Sequence, residues 1–324
     1  MNDSVPGWEL VSDEMKAALA KGKEMAGGDA VSVSDSVKTV REAYLRDRIY
    51  WNEIKPELPI VDDFAVPGPA GAIPVRLYKP GAMPGLPVLL FAHGGGYVLG
   101  SLDSHDRICR LLAERSGAAV LAVDYRLAPE NKFPAALEDM EAALKWLQVA
   151  GATRGLDPRR IAMAGDSAGG NITLATALSR KQAGEFPFKG LALIYGVFDN
   201  AETESRRRFG DALFSLPITA MNWFDQAYSR DDVDDANPLR HPAKAEDLSG
   251  LPPCLVIAAG CDPLRDDSCN LVPKLEADGV EAELVEVPGV LHGYLHMSRM
   301  LPAADQTLTR IAEAVREWLS APHR

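Results

Sequence analysis

The spacing of apolar residues changes character along the chain. Residues 1 to about 52 are polar and helix-prone, as in SDEMKAALAKGKEMA and SVKTVREAYLRDRIYWNE. PIVDDFAVPG and AIPVRLYKPG then alternate apolar and polar positions around PAG, which predicts an antiparallel strand pair. From residue 88 the strand-like runs become apolar on both faces: PVLLFA (87–92), AAVLAVDY (118–125), RIAMAG (160–165), GLALIYG (190–196) and CLVIAAG (254–260), with EAELVEV (281–287) after them. Helical stretches separate these runs. DSHDRICRLLAERSG carries capping residues at Asp103 and Ser104, sets Ile108, Leu111 and Leu112 on one face, and stops at Gly117. PAALEDMEAALKWLQ starts at Pro134, SAGGNITLATALSRK follows Ser167, and TLTRIAEAVREWLS comes last. Strands buried on both faces and alternating with helices predict an α/β fold, a mostly parallel sheet covered on both sides.

One interval breaks the rhythm. More than fifty residues separate the strand ending near Gly196 from the one starting at Cys254, and they include LFSLPITAMNWFDQAYSR. The segment forms either a long excursion with its own small core or a lid over the strand ends. In the second reading Phe214, Trp223 and Phe224 line a substrate pocket, together with Tyr97 next to the glycines of HGGGY.

Composition narrows the function. The net charge of −12 at pH 7 argues against nucleic acid or an anionic membrane as partner. No run reaches the ~18 apolar residues of a membrane-spanning helix. The acidic start, MNDSVPGWELVSDEMK, does not read as a signal peptide. Cys109, Cys254, Cys261 and Cys269 form no C-x-x-C pair and read as reduced packing residues, so a cytoplasmic location is expected.

Two glycine-rich stretches carry the chemistry. The first, His93-Gly94-Gly95-Gly96, follows a strand; such a device admits either a pyrophosphate or the oxyanion of an acyl-transfer intermediate. A dinucleotide site needs its helix to begin at the glycines, with an acid such as Asp124 at the end of the next strand. Here YVLGSLDSH intervenes and the expected caps come only at Asp103 and Ser104, which favours the oxyanion hole. The second stretch, Gly165-Asp166-Ser167-Ala168-Gly169, is a G-x-S-x-G pattern between a strand and a helix. A sharp turn there holds a serine hydroxyl clear of the sheet, and the Ala168 N–H adds an oxyanion donor.

A serine needs a base, and the base an orienting carboxylate. Asp262 follows the strand LVIAAG, and His292 follows LVEVPGVL, so both are expected at the same sheet edge as Ser167. Asp266 and Asp267, a turn beyond Asp262, fit solvated helix positions better. His292 and His296 form an H-x-x-x-H pair. No acidic third ligand lies between or just beyond them, so no metal is expected. Arg206 to Arg208 read as a solvated face, with an acidic substrate group as the functional alternative. Arg126 and Glu130 read as loop ties.

Together HGGGY, YRLAPE, FPAALED, GDSAGGN, DPLRDD and LHGY resemble the hormone-sensitive-lipase family of esterases, the bacterial family IV type, in order and spacing from about residue 60 onward. The resemblance implies an eight-stranded α/β-hydrolase fold with a helical cap. The cap would comprise residues 1–52 and 198–240, and the catalytic core residues 53–197 and 241–324. It implies Ser167, Asp262 and His292 as a triad, and N–H groups of Gly95, Gly96 and Ala168 as the oxyanion hole. Gly94 would shape the loop and His93 brace it. It implies a small-molecule acyl ester as partner, hydrolysed without cofactor or metal, and the family often forms dimers. Amides, formamides or acetylated sugars remain open as substrates. A binding role like that of gibberellin receptors, which resemble the family without its histidine, is disfavoured because His292 is present.

Overall fold

The computed structural model describes residues 5–27, 32–230 and 232–320. Eight strands form one sheet: β1 (Ile60–Gly68), β2 (Gly71–Lys79), β3 (Leu86–Ala92), β4 (Ala119–Val123), β5 (Leu156–Asp166), β6 (Phe188–Ile194), β7 (Cys254–Cys261) and β8 (Ala282–Leu291). Their spatial order is β1-β2-β4-β3-β5-β6-β7-β8. β1 pairs antiparallel with β2 and β2 antiparallel with β4; every later pairing is parallel. The switch follows the change in pattern at residue 88. The alternating β1 leaves one side to solvent, whereas β3 and β4 are apolar on both.

The helices are α1 (Asp13–Ala26), α2 (Val37–Glu53), α3 (Asp106–Ser116), α4 (Ala135–Ala150), α5 (Ala168–Gln182), α6 (Glu204–Phe209), α7 (Ile218–Tyr228), α8 (Asp232–Asp235), α9 (Arg265–Ala277) and α10 (Pro302–Ser320). Successive residues of β3 enter opposite cores. Val88, Leu90 and Ala92 pack with Met140 of α4, Ile172 of α5 and Leu271 of α9. Leu89 and Phe91 pack with Leu112 of α3 and Ile311 of α10. All four cysteines carry free thiols; Cys109, Cys254 and Cys261 are buried in these cores. No helix among the described residues is long and apolar enough to cross a membrane.

One expected boundary shifts. α3 begins at Asp106, not at the capping residues Asp103 and Ser104. Those side chains are engaged elsewhere: Asp103 receives Arg76, and Ser104 Oγ donates to the Ser101 carbonyl and sits 2.8 Å from His105 Nδ1. The loop ties hold: Arg41 of α2 reaches Glu130 and the Ala128 carbonyl, and Arg126 grips Asp139.

The chain leaves β3, β5, β7 and β8 at one edge of the sheet, its carboxyl edge. The next residues are His93, Ser167, Asp262 and His292. Parallel strands thus bring together residues that lie far apart in sequence.

Candidate active site

Ser167 sits at the turn from β5 into α5, with φ 57° and ψ −120°. A side chain rarely adopts that conformation, so the surroundings must enforce it. They do so by close approach. A Cβ on Gly165 would lie 2.2 Å from the Gly169 carbonyl oxygen, and one on Gly169 would lie 2.0 Å from that of Ala92. Only glycine at both positions lets strand and helix pass this tightly, and the Ser167 N–H is then fixed on the Ile194 carbonyl at 2.8 Å.

Ser167 Oγ lies 2.8 Å from His292 Nε2, and His292 Nδ1 lies 2.7 Å from Asp262 Oδ2. Asp262 is fully buried, and its other oxygen accepts the Leu264 N–H at 2.8 Å. The carboxylate is therefore held from both sides, and the imidazole is oriented with its Nε2 toward the serine. This is a nucleophile–base–orienter line within hydrogen-bond reach at each link.

The loop after β3 faces that line. Gly95, Gly96, Ser167, Ala168 and His292 all line one cavity of about 670 Å³. The N–H groups of Gly95 and Gly96 donate to no other group among the described residues, and that of Ala168 belongs to the unpaired first turn of α5. Three residues with unused backbone N–H groups therefore share the cavity with Ser167. His93 braces the loop: its Nδ1–H donates to the Gly94 carbonyl at 2.9 Å, and its ring stacks on Tyr125 at 4.3 Å. The Tyr125 hydroxyl donates back to the His93 carbonyl at 2.6 Å.

Two residues that the sequence reading did not single out support the same loop. The buried carboxylate of Asp166 accepts the Gly94 N–H at 2.9 Å and lies 3.1 Å from His105 Nε2. Burial pushes Asp166 up, but His105 and the Gly94 N–H outweigh it and hold the carboxyl below its ordinary range. Asp166 was legible only as the variable position of G-x-S-x-G; nothing in its spacing tied it to a glycine 72 residues away.

The aromatic expectations divide. Tyr97, Trp223 and Phe224 line the cavity. Phe214 does not: it is fully buried in a cluster with Trp8 and Phe209, at ring distances of 5.7 and 5.2 Å. The N-terminal segment turns its own aromatic residue, Trp8, into that cluster, and Phe214 is needed there as core. Phe224 instead lies against the glycine loop after β3, where a Cβ on Gly96 would come 2.2 Å from its ring. Gly96 also has φ +61°. Gly96→Ala is therefore expected to displace both the loop and the ring, lowering kcat by on the order of 10²–10³. Steady-state kinetics on a soluble ester, with circular dichroism to verify folding, checks this.

Two charged expectations also change. Asp267 is buried rather than solvated. It accepts the N–H groups of Phe198 and Asp199 and receives Arg206 Nη2 at 3.0 and 3.1 Å. Burial pushes its carboxyl up to about 7 against the pull of Arg206. Arg206, expected on a solvated face, is thus an interior residue, while Arg207 and Arg208 are exposed. The run of three arginines hid this because adjacent positions on a helix face different ways.

Burial also holds two histidines neutral. Desolvation, aided by His105 for His93 and by Arg240 and Lys244 for His241, lowers both imidazoles to about 3. The unfolded chain would take up these protons near pH ~6.5 and the folded chain would not. Each histidine therefore contributes stability that is present above that pH and lost as the pH falls toward 3. In a histidine-resolved NMR titration, the His93 and His241 signals are expected to stay flat from pH 8 to 5. A midpoint near 6.5 for either would contradict their burial.

Comparison with known proteins agrees with this geometry. Residues 89–296 match the family described as alpha/beta hydrolase fold. The chain is 38% identical over 302 residues to carboxylic ester hydrolase LipN of Mycobacterium tuberculosis, covering 91% of this chain and 80% of that one. It is 34% identical over 308 residues to an acetyl esterase of Salmonella enteritidis, covering 94% of each. Among solved structures, a Pyrobaculum calidifontis esterase superposes with a TM-score of 0.89 at 37% identity, over 96% of this chain and 100% of that one. The sheet order, the strained serine turn and relatives matched over 80% or more of their length point one way: the chain belongs to the hormone-sensitive-lipase-like family of α/β-hydrolases.

Proposed function

We propose that the chain is a carboxylic ester hydrolase that cleaves short- to medium-chain acyl esters through an acyl-enzyme on Ser167. The observation that carries this reading is the unbroken hydrogen-bonded line Ser167–His292–Asp262 beside three free backbone donors in one cavity. His292 takes the Ser167 proton as Oγ attacks the ester carbonyl. Asp262 stabilises the imidazolium that forms, and the oxyanion gathers the N–H groups of Gly95, Gly96 and Ala168. His292 then protonates the leaving alcohol. Water then attacks the acyl carbonyl as it gives its proton to His292, and His292 returns that proton to Ser167 Oγ as the acid leaves.

Residues 1–52 and 198–240 act as a cap in this scheme, over a core of 53–197 and 241–324. Residues 1–4, 28–31, 231 and 321–324 of these segments lie outside the described residues. Residues from α1, α2 and α7 line the cavity alongside the serine, which supports the cap assignment. A volume of about 670 Å³ falls within the ~300–1,000 Å³ that encloses small molecules, which supports a limit on acyl length. Four free thiols support a reducing, cytoplasmic setting.

The test is a series of p-nitrophenyl esters from acetate to palmitate. kcat/KM is expected to peak among the short and medium chains and fall steeply toward palmitate. Absence of turnover on every ester would overturn the reading.

A further inference from the structure

The segment between β6 and β7 does more than line the cavity. Resting on the ester-hydrolase reading, we propose that Ser205, the second residue of α6, is a positioning residue for the triad. It acts on the Asp262 carboxylate through one peptide group, the one that joins Pro263 to Leu264.

The connection runs bond by bond. One oxygen of Asp262 meets His292 Nδ1 at 2.7 Å, and the other accepts the Leu264 N–H at 2.8 Å. The direction of that N–H therefore sets the rotation of the carboxylate, and with it the imidazole. A peptide group is a rigid plane, so the Leu264 N–H cannot turn unless the Pro263 carbonyl turns with it. Ser205 Oγ donates to that carbonyl at 2.8 Å. Among the described residues no other group donates to it. A donor on the carbonyl also polarises the peptide and strengthens the N–H at its far end. Of the carbonyls in this turn, Ser205 holds the one whose peptide grips Asp262.

Ser205 is itself fixed. It is buried, and its backbone N–H donates to Asp266 Oδ2 at 2.9 Å. Its hydroxyl has a single hydrogen, which goes to Pro263, so Oγ is left to accept the Asp266 N–H at 3.2 Å. That N–H belongs to the first turn of α9, where the helix offers no partner of its own. The next residue, Arg206, reaches Asp267, which also accepts the N–H groups of Phe198 and Asp199. The start of α6 is thus fastened to the turn after β7 on two sides. The serine cannot drift from Pro263 without breaking these bonds as well.

A serine that merely fastened α6 to α9 would matter equally with or without a working Asp262. A double-mutant cycle on a soluble p-nitrophenyl ester separates the two roles. Ser205→Ala is expected to lower kcat by about tenfold or more, with KM changed by less than about twofold, because a slightly misplaced base costs turnover before binding. In the Asp262→Asn background the same substitution is expected to cost less than about twofold, since the group it acts through is already gone. Unfolding, or a loosened α6, would reduce both backgrounds by the same factor. If Ser205→Ala does not fold, Ser205→Cys takes its place in the cycle, as its thiol fills the site and donates only weakly. Equal losses in the two backgrounds overturn the inference, as does an unchanged kcat in the parent background. Ester turnover by the parent chain then leaves the ester-hydrolase reading standing. Absence of parental turnover on every ester removes both.

Discussion

Replacing Ser167 with alanine is expected to lower kcat for ester hydrolysis by on the order of 10⁶. The size follows from the site. Ser167 Oγ is the hydroxyl held at 2.8 Å from His292 Nε2, and the backbone donors beside it cannot attack a carbonyl. Alanine retains the Cβ, so the demands of the turn at φ 57° are unchanged, and the pairing of Ser167 N–H with Ile194 persists. The variant should therefore fold like the parent, with a melting temperature within a few degrees and binding of substrate retained. Burst kinetics with p-nitrophenyl acetate would register the loss directly, since no acyl-enzyme can form. Retention of more than a tenth of the parental kcat would mean that another nucleophile carries the reaction.

Asp262→Asn is expected to reduce kcat by about 10⁴ with KM much less affected. The carboxylate accepts two donors at once, His292 Nδ1–H on Oδ2 and the Leu264 N–H on Oδ1. An asparagine has a single oxygen. If that oxygen stays on the Leu264 N–H, the amide NH₂ faces Nδ1 and forces the other imidazole tautomer. Nε2 then carries the proton and cannot take one from Ser167. If the oxygen faces His292, the Leu264 N–H meets an NH₂ group and the turn after β7 is disturbed. In the first case the base is lost at neutral pH, and in the second the group that orients it loses its own anchor. A loss below tenfold would show that Asp262 does not orient His292. Asp267 is poorly placed to substitute, since its oxygens already serve Arg206 and two backbone N–H groups.

Much of this architecture was legible because parallel strands announce themselves. β3 to β7 are apolar on both faces, and each strand run read from the sequence lies on a strand of the sheet. Ser167, Asp262 and His292 could be placed because each directly follows a strand end, where local sequence and sheet topology say the same thing. Legibility failed where a side chain serves a distant partner. Asp103 and Ser104 look like helix caps, yet one is taken by Arg76 and the other by Ser101 and His105. Phe214 and Phe224 sit in the same aromatic stretch, but one closes a core with Trp8 and the other faces the cavity. Composition cannot separate them, because the deciding contacts come from the first helical turns of the chain and from the glycine loop. Asp267 and Arg206 show the same limit. Each reads as a surface charge alone, and only their meeting inside the fold makes burial tolerable.

The ring of Phe224 against Gly96 has an implication for anyone wishing to alter substrate range. The helix that would be exchanged to reshape the pocket also supplies the surface on which Gly96 of the loop after β3 rests. A transplanted segment that grips a new acyl chain but lacks an aromatic ring at this point would leave the glycine loop unsupported. Selectivity and turnover are thus mechanically joined in this chain, and a graft that keeps Phe224 while varying its neighbours is the one that can change the first without forfeiting the second.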